Sequence, residues 1–197
     1  MILEAIVTTL NDDGTLNVAP MGPSVASDLR EFVLRPFRTS RTYHNLKARR
    51  EGVLHVTDDA LMFALGAIGE LPEPATEPAE RVRGRVILNV CRFAEFLVRE
   101  VDDRDDRTRV VAETLREKSV RDFFGFNRAK HAVLEAAIMA TRTDRIPLRR
   151  IRRDYRRLGE VVGKTGGPDE IEAFRRLTAH VGAAARARGF AWSDDPP

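Results

Sequence analysis

One feature constrains this chain more than any other: its hydrophobic period changes near Asn127. Before that point apolar residues fall in short, loosely alternating runs bounded by Gly, Pro, Asn and Asp, the pattern of strands and turns. After it they recur every three or four positions. Ala129 to Thr141 is Ala-rich with apolar residues at 133, 134, 137 and 138, and reads as a helix. Pro147 suits a first helical position and opens a second helix to about Val162. Gly163 to Pro168 reads as a loop, and a third helix runs from Pro168 to Arg188, stopping at Gly189. Strands followed by helices imply an α+β fold, not a doubly wound sheet. About six antiparallel strands most naturally close into a small barrel.

The strand half reads in order. Leu3 to Leu10 and Thr15 to Ala19 form a hairpin across the turn Asn11-Asp12-Asp13-Gly14. Pro20 and Pro23 remove two ladder donors, so the second strand is expected to leave the sheet at Pro20 and expose its backbone. Glu31 to Arg35 is a third strand, Thr42 to Arg50 a short polar helix, and Gly52 to Thr57 a fourth strand. Asp58 and Asp59 cap an apolar helix, Ala60 to Ile68. Gly69 to Pro78, rich in Pro and Glu, reads as a surface loop. Arg83 to Val101 and Arg107 to Glu117 read as long antiparallel partners around the charged turn at Asp102 to Asp106, with a bend or bulge expected near Ala94 to Val98. The resulting division is a barrel domain over 1–122, a helical extension over 123–192 and a frayed tail over 193–197.

Composition narrows the function classes. At 197 residues with 43% hydrophobic and 32% charged residues, the chain has material for a real core and a well-solvated surface. No apolar run is long enough to cross a bilayer. The start, Met-Ile-Leu-Glu-Ala-Ile-Val, lacks a basic region and argues against a signal peptide. The single Cys91 excludes an intrachain disulfide and fits a reducing cytoplasm; set among Val and Phe, it reads as a buried small residue. His44, His55, His131 and His180 show no His-x-x-x-His spacing, so no metal site is expected. Gly163-Lys-Thr-Gly-Gly lacks the P-loop spacing, and no Gly-x-Gly-x-x-Gly or Gly-x-Ser-x-Gly occurs. The run Arg149 to Arg157 is a candidate nucleic-acid face. Ile151, Tyr155 and Leu158 recur beneath it, and no aromatic platform interleaves it, so it reads instead as the solvated side of an amphipathic helix. Nucleic acid and membrane are therefore not expected partners.

Two stretches carry candidate chemistry. Arg35-Pro-Phe-Arg-Thr-Ser-Arg-Thr-Tyr-His-Asn45 gathers Arg35, Arg38 and Arg41 with Thr39, Ser40 and Thr42 where a strand gives way to a helix. Free N–H groups and the positive dipole end make such a junction an anion site, although Ser and Thr there also serve as ordinary helix caps. Asn17-Val-Ala-Pro-Met-Gly22 offers a flat strand edge with small residues. Together they suit a flat heterocycle tethered to a phosphate.

These two stretches resemble the FMN-binding split-barrel flavoproteins, a superfamily of flavin reductases, flavoredoxins and pyridoxamine phosphate oxidases. Phe124-Gly-Phe-Asn-Arg-Ala-Lys-His-Ala-Val-Leu-Glu-Ala-Ala-Ile-Met-Ala-Thr-Arg142 resembles the family called domain of unknown function 447, which places a helical extension after such a barrel. The resemblance implies a split β-barrel with a C-terminal three-helix extension, packed on the barrel or at a dimer interface. It implies FMN as cofactor at a homodimer interface. Asn17, Ala19, Pro20 and Met21 would line the ring. Arg35, Thr39, Ser40 and Thr42 would hold the phosphate, Pro36 and Phe37 would shape the wall, and Asn45 would brace the helix start. Asn127, Arg128 and Lys130 are further candidates for the phosphate, or for surface or dimer ion pairs. The implied activity is that of a flavin-dependent oxidoreductase or flavin reductase, with a small-molecule substrate or a nicotinamide electron donor. The same pocket serves a non-enzymatic flavin carrier or sensor equally well. No side chain stands out as a catalytic acid or base.

Overall fold

The computed structural model describes residues 1–26 and 28–192; the tail from 193 to 197 lies outside the described residues. By internal contact the chain forms two units: residues 1–58 with 73–123, and residues 59–72 with the segment from 124 onward.

The first unit is built on a curled antiparallel sheet. Its strands are β1 (Ala5–Leu10), β2 (Leu16–Met21), β3 (Ser24–Val25), β4 (Glu31–Leu34), β5 (Glu51–Val56), β8 (Arg92–Asp102) and β9 (Arg109–Ser119). They lie in the order β2-β1-β5-β8-β9-β4-β3. The two edges approach each other: Ile2 bridges to Ser24, and the Val25 amide donates to the Met1 carbonyl at 2.8 Å. Period-two alternation sends Ala5 and Val7 of β1, Phe32 and Leu34 of β4, and Val110 and Ala112 of β9 into one buried cluster. Phe32 and Phe96 meet edge to face there, 5.2 Å between centroids. Helix α1 (Arg41–Arg49) adds Leu46 to the same core. The bend expected in β8 is present as register shifts at Glu95/Phe96 and Val98/Glu100. Gly52 is required where β5 passes β8, because a Cβ there would lie 2.8 Å from the Phe96 ring and 2.9 Å from the Thr8 carbonyl.

Three local expectations are corrected. β2 does not leave the sheet at Pro20; it stays paired through Met21, with Pro20 opposite Ile6. The Asn11 amide bonds the Thr15 carbonyl, and alternation from there makes Ile6–Pro20 a non-hydrogen-bonded pair. The missing N–H of Pro20 therefore faces the open edge, where its absence costs nothing. Second, Arg83 to Val101 is not one strand. β7 (Arg85–Ile87) pairs instead with β6 (Thr76–Pro78), inside the stretch read as loop, and Asn89 (φ 59) turns the chain before β8. This ribbon is latched to the barrel by Thr8, whose hydroxyl donates to the Arg85 carbonyl at 2.8 Å, and by His55. Third, α4 (Leu148–Thr165) continues through Gly163 to Thr165.

The second unit is helical: α2 (Ala60–Ile68), α3 (Arg128–Ala140), α4 and α5 (Pro168–Ala187). α2 has no polar face, so it is covered on several sides, and Ala60 and Ala64 join the core of the C-terminal helices. α3 contributes a ridge of alanines, α4 contributes Ile151, Tyr155 and Leu158, and α5 contributes Phe174, Leu177 and Val181. The Tyr155 hydroxyl donates to the Ala136 carbonyl at 2.8 Å, and burial pushes its pKa up. The arginines of α4 lie on its solvated side. The distinctive block after Phe124 has structural partners within this unit. Asn127 caps α3 and donates to the Thr165 carbonyl at 3.0 Å, and Lys130 pairs with Glu170 at 2.8 Å. Among the described residues no helix is long and apolar enough to cross a membrane. Among the described residues no three His, Cys, Asp or Glu side chains converge as a metal-holding group. Cys91 is buried, and burial raises its thiol pKa.

Candidate functional site

The site builds outward from the start of α1, within the first unit. The segment before the helix is pinned to β9 and the turn preceding it. Thr108 donates to the Pro36 carbonyl through both its amide (3.0 Å) and its hydroxyl (2.9 Å), and the Arg38 amide donates to the Asp106 carbonyl at 2.9 Å. Pro36 is buried, whereas Phe37 is 41% exposed beneath the Arg107 guanidinium. Ser40 then caps α1: its backbone is extended and its hydroxyl oxygen accepts from the Tyr43 amide at 3.2 Å. The amides of Arg41 and Thr42, one and two residues into the helix, have no intrahelical acceptor. Arg35, Arg38, Thr39 and Arg41 are exposed, and among the described residues none of these arginines forms an ion pair. No acidic residue stands in the first turn. Three exposed guanidiniums, a hydroxyl and two amides thus lie in one short segment, and among the described residues none of the three guanidiniums forms an ion pair.

Behind this start lies a buried amide network. Thr9 Oγ1 accepts from Asn17 Nδ2 at 3.0 Å and from Asn45 Nδ2 at 2.9 Å. Asn17 Nδ2 also donates to Thr42 Oγ1 at 3.1 Å, and Asn45 Nδ2 donates to Asn11 Oδ1 at 2.9 Å. Strand β2 is thereby tied to α1 through Thr9 of β1. Both amide hydrogens of Asn45 are spent inside the protein, which is a bracing role. Thr42 accepts here and keeps its hydroxyl hydrogen; Asn17 keeps its carbonyl oxygen.

β2 is an edge strand in the sheet order. The phase set by Asn11 and Thr15 turns the backbone groups of Val18 and the carbonyl of Pro20 toward the open side. Asn17, Ala19 and Met21 share one face, opposite Thr9, Val7 and Ala5, while Pro20 lies on the other. Of the residues singled out in the sequence, the structure brings Asn17 into direct contact with Thr42 and joins Asn45 to Asn17 through Thr9.

An open hollow of about 460 Å3 beside the helix start is lined by Thr39, Arg41 and Asn45, together with Asn11, Asp12, Asp13 and His44. The last four were missed. Asn11, Asp12 and Asp13 carry only a hairpin signal in the sequence, and nothing local says that the hairpin end meets α1, where His44 lies. Hydrogen bonds from the Thr15 hydroxyl and amide hold the Asp13 carboxyl below its usual pKa, with Arg41 adding a smaller pull. The hollow is thus positive on its helix side and negative on its hairpin side.

Models of the protein of unknown function (DUF447) family match residues 3–121 as its N-terminal domain and residues 127–179 beyond it. Among solved structures, the FMN-bound protein MM1853 from Methanosarcina mazei superposes with a TM-score of 0.77 at 22% identity, over 91% of this chain and 94% of that one. An FMN-binding protein from Thermus thermophilus, with bound p-hydroxybenzaldehyde, gives 0.51 at 13% identity over 61% and 73% of the two chains. The NADH:FAD oxidoreductase SgcE6 of Streptomyces globisporus C-1027 gives 0.52 at 11% over 61% and 72%. At such identities the likeness is one of fold, and it agrees with the curled antiparallel sheet and C-terminal helices described above. With both family models matched along most of its length, the chain belongs to the DUF447 family and has its α+β split-barrel fold.

Proposed function

We propose that this protein binds FMN and acts as a flavin-dependent oxidoreductase of the flavin-reductase type on a small-molecule substrate. The observation that carries the proposal is the unsatisfied anion cradle at the start of α1. Among the described residues Arg35, Arg38 and Arg41 form no ion pair, Thr39 is exposed, and the first two amides of α1 have no acceptor within the helix. A phosphate monoester is the group such a cradle suits best. The FMN-bound relative MM1853 supports the same reading. Arg35, Thr39, Ser40 and Thr42 would hold the phosphate. Asn17, Ala19, Pro20 and Met21 would flank the ring, with Pro36 and Phe37 as wall and Asn45 as brace. Ser40 accepts from Tyr43 and still has a hydroxyl hydrogen to donate, so capping and binding are compatible. When bound, the flavin supplies hydride and single-electron transfer; the chain supplies binding, orientation and charge.

The proposal extends to a homodimer with the cofactor at the interface, a nicotinamide electron donor and a cytoplasmic setting. The dimer rests on the unpaired β2 edge, which leaves one side of a ring held there uncovered. The compartment rests on the lone, buried Cys91, which gives the chain no intrachain disulfide. A carrier or sensor is the second reading, favoured by one observation: Ala19, Pro20 and Met21 bring no acid or base to the ring end.

The test is the visible spectrum of the purified protein with the cofactor identified by mass. Flavin bands near roughly 370 and 450 nm and the mass of FMN are the expected result. A colourless protein that ignores added FMN refutes it. Steady-state NAD(P)H oxidation then separates enzyme from carrier, and sedimentation checks the dimer.

A further inference from the structure

We propose that Asp103, acting through Tyr43 and Lys47, is a positioning residue for the anion cradle, so that the turn between β8 and β9 sets the preference for phosphorylated over unphosphorylated flavin. This rests on the FMN reading above and deepens it.

The Tyr43 hydroxyl donates to Asp103 Oδ2 at 2.5 Å. Lys47 Nζ donates to the same oxygen at 2.6 Å and to the Tyr43 hydroxyl at 3.0 Å. Tyr43 is buried and belongs to the first turn of α1; Lys47 follows one turn later on the same flank. The same turn also accepts the Arg38 amide, at the Asp106 carbonyl. It therefore grips the chain at residue 38 and again at residue 43, and everything between the grips is cradle: Thr39, Ser40, Arg41 and Thr42. The network of Asn17 and Asn45 holds the opposite flank of α1. The helix start is clamped from two sides: on the turn side Asp103 is the side chain that meets α1 itself, while the Thr108 hydroxyl holds the Pro36 carbonyl ahead of it.

Two physical points make this more than a surface ion pair. Lys47 and Asp103 are 58% and 34% exposed, and a pair in that environment adds little to stability. Its position, not its energy, is informative. Asp103 also lies near Arg38; hydrogen bonds from Lys47 and Tyr43 keep its carboxyl ionised, with Arg38 assisting from farther away. Lys47 and Tyr43 both bond Oδ2 of that carboxylate, and among the described residues Arg38 forms no ion pair with it and stays exposed.

The clamp predicts an effect of unusual sign. A carboxylate near a phosphate repels it, so simple electrostatics says that Asp103→Ala tightens FMN. The clamp says the opposite. Full-length wild type, Asp103→Ala and Tyr43→Phe are titrated with FMN and with riboflavin, which has the ring but no phosphate. For Asp103→Ala the expected result is an FMN Kd weaker by about tenfold, with riboflavin affinity unchanged. Tyr43→Phe, which changes no charge and leaves the Lys47 pair, shifts the same ratio by about threefold. Melting temperatures of both variants stay near wild type. An FMN Kd that is unchanged or tighter overturns the inference, as does equal loss of both flavins, which marks general loosening. If wild type binds both flavins and neither variant moves their ratio, the FMN reading stands and the clamp falls. If wild type binds neither, both fall together.

Discussion

Acid should unlatch the β6–β7 ribbon through His55. This side chain is fully buried on β5. The Ile87 amide donates to its Nε2 at 3.0 Å, so that nitrogen carries a lone pair; the proton is on Nδ1, which donates to the Ile6 carbonyl at 3.2 Å. Protonating Nε2 would set one N–H against another. Burial lowers the pKa to about 4 from the ordinary histidine value of 6.5, the Ile6 carbonyl pulling weakly the other way. The folded value is the lower one, so the unfolded chain takes up the proton first. The contribution is complete above pH 6.5 and is lost as pH falls toward 4. A difference of about 2.5 units at 1.36 kcal/mol each is about 3 kcal/mol. With a urea slope of about 2 kcal/mol/M, that moves the midpoint down by about 1.5 M. The assay is urea unfolding by far-UV circular dichroism from pH 8 to pH 4, for wild type and His55→Gln. The glutamine keeps one donor and one acceptor but does not titrate. Other carboxylates titrate in both proteins, so the difference between the two curves isolates His55. The curves should converge as pH falls, wild type losing its advantage. Parallel curves, or an imidazole nitrogen spectrum showing a protonated His55 at pH 6, would refute the reasoning.

Three further outcomes follow from the same geometry. Ser40→Ala should cost about 1 kcal/mol of stability by removing the cap on the Tyr43 amide, whereas Thr39→Ala should lower FMN affinity without moving the melting temperature. Gly52→Ala should destabilise by about 2 kcal/mol in denaturant titrations, because the added methyl meets the Phe96 ring and the Thr8 carbonyl inside van der Waals distance. Arg116→Met should cost about 3 kcal/mol by stranding the fully buried Glu95, which Arg116 meets at 3.0 Å, and adding Glu95→Gln should recover part of that loss in the same titration.

Much of the barrel was legible because its signals are local. β1, β5 and α2 lie within a residue or two of where alternation and capping residues put them. The ribbon was not legible. Thr76–Pro78 has a proline inside it and another nearby, and what makes it a strand is distant: Thr8 on the Arg85 carbonyl and His55 on the Ile87 amide. Pro20 shows a subtler limit. The rule that proline cannot donate is correct, but its consequence depends on which way that donor would have faced, and only the register decides this. The block from Phe124 to Arg142 is distinctive as a family signature; Asn127 and Lys130 in it meet Thr165 and Glu170, forty residues away or nearly so, in a helix cap and an ion pair.

The candidate site divides the same way. The cations and hydroxyls of Arg35 to Asn45 are adjacent in sequence, so an anion cradle could be read directly from them. What orients the cradle could not, because its supports come from two other parts of the chain. Thr9, Asn11 and Asn17 sit in the first hairpin, and Asp103 stands on a turn sixty residues from Tyr43. Each of these reads in isolation as strand, turn or solvated charge. Only the sheet order, which brings the first hairpin to one flank of α1 and ties the β8–β9 turn to the other, gives them a common task. The residues that would touch a phosphate are therefore locally encoded, with Arg35 and Thr39 exposed, Ser40 half-buried and Thr42 buried, while those that aim them are engaged in long-range contacts. A substitution scan should separate the two sets. Changes at Thr39 or Arg41 should act on ligand affinity alone. Changes at Asn45, whose two amide hydrogens serve Thr9 and Asn11, should lower stability and affinity together.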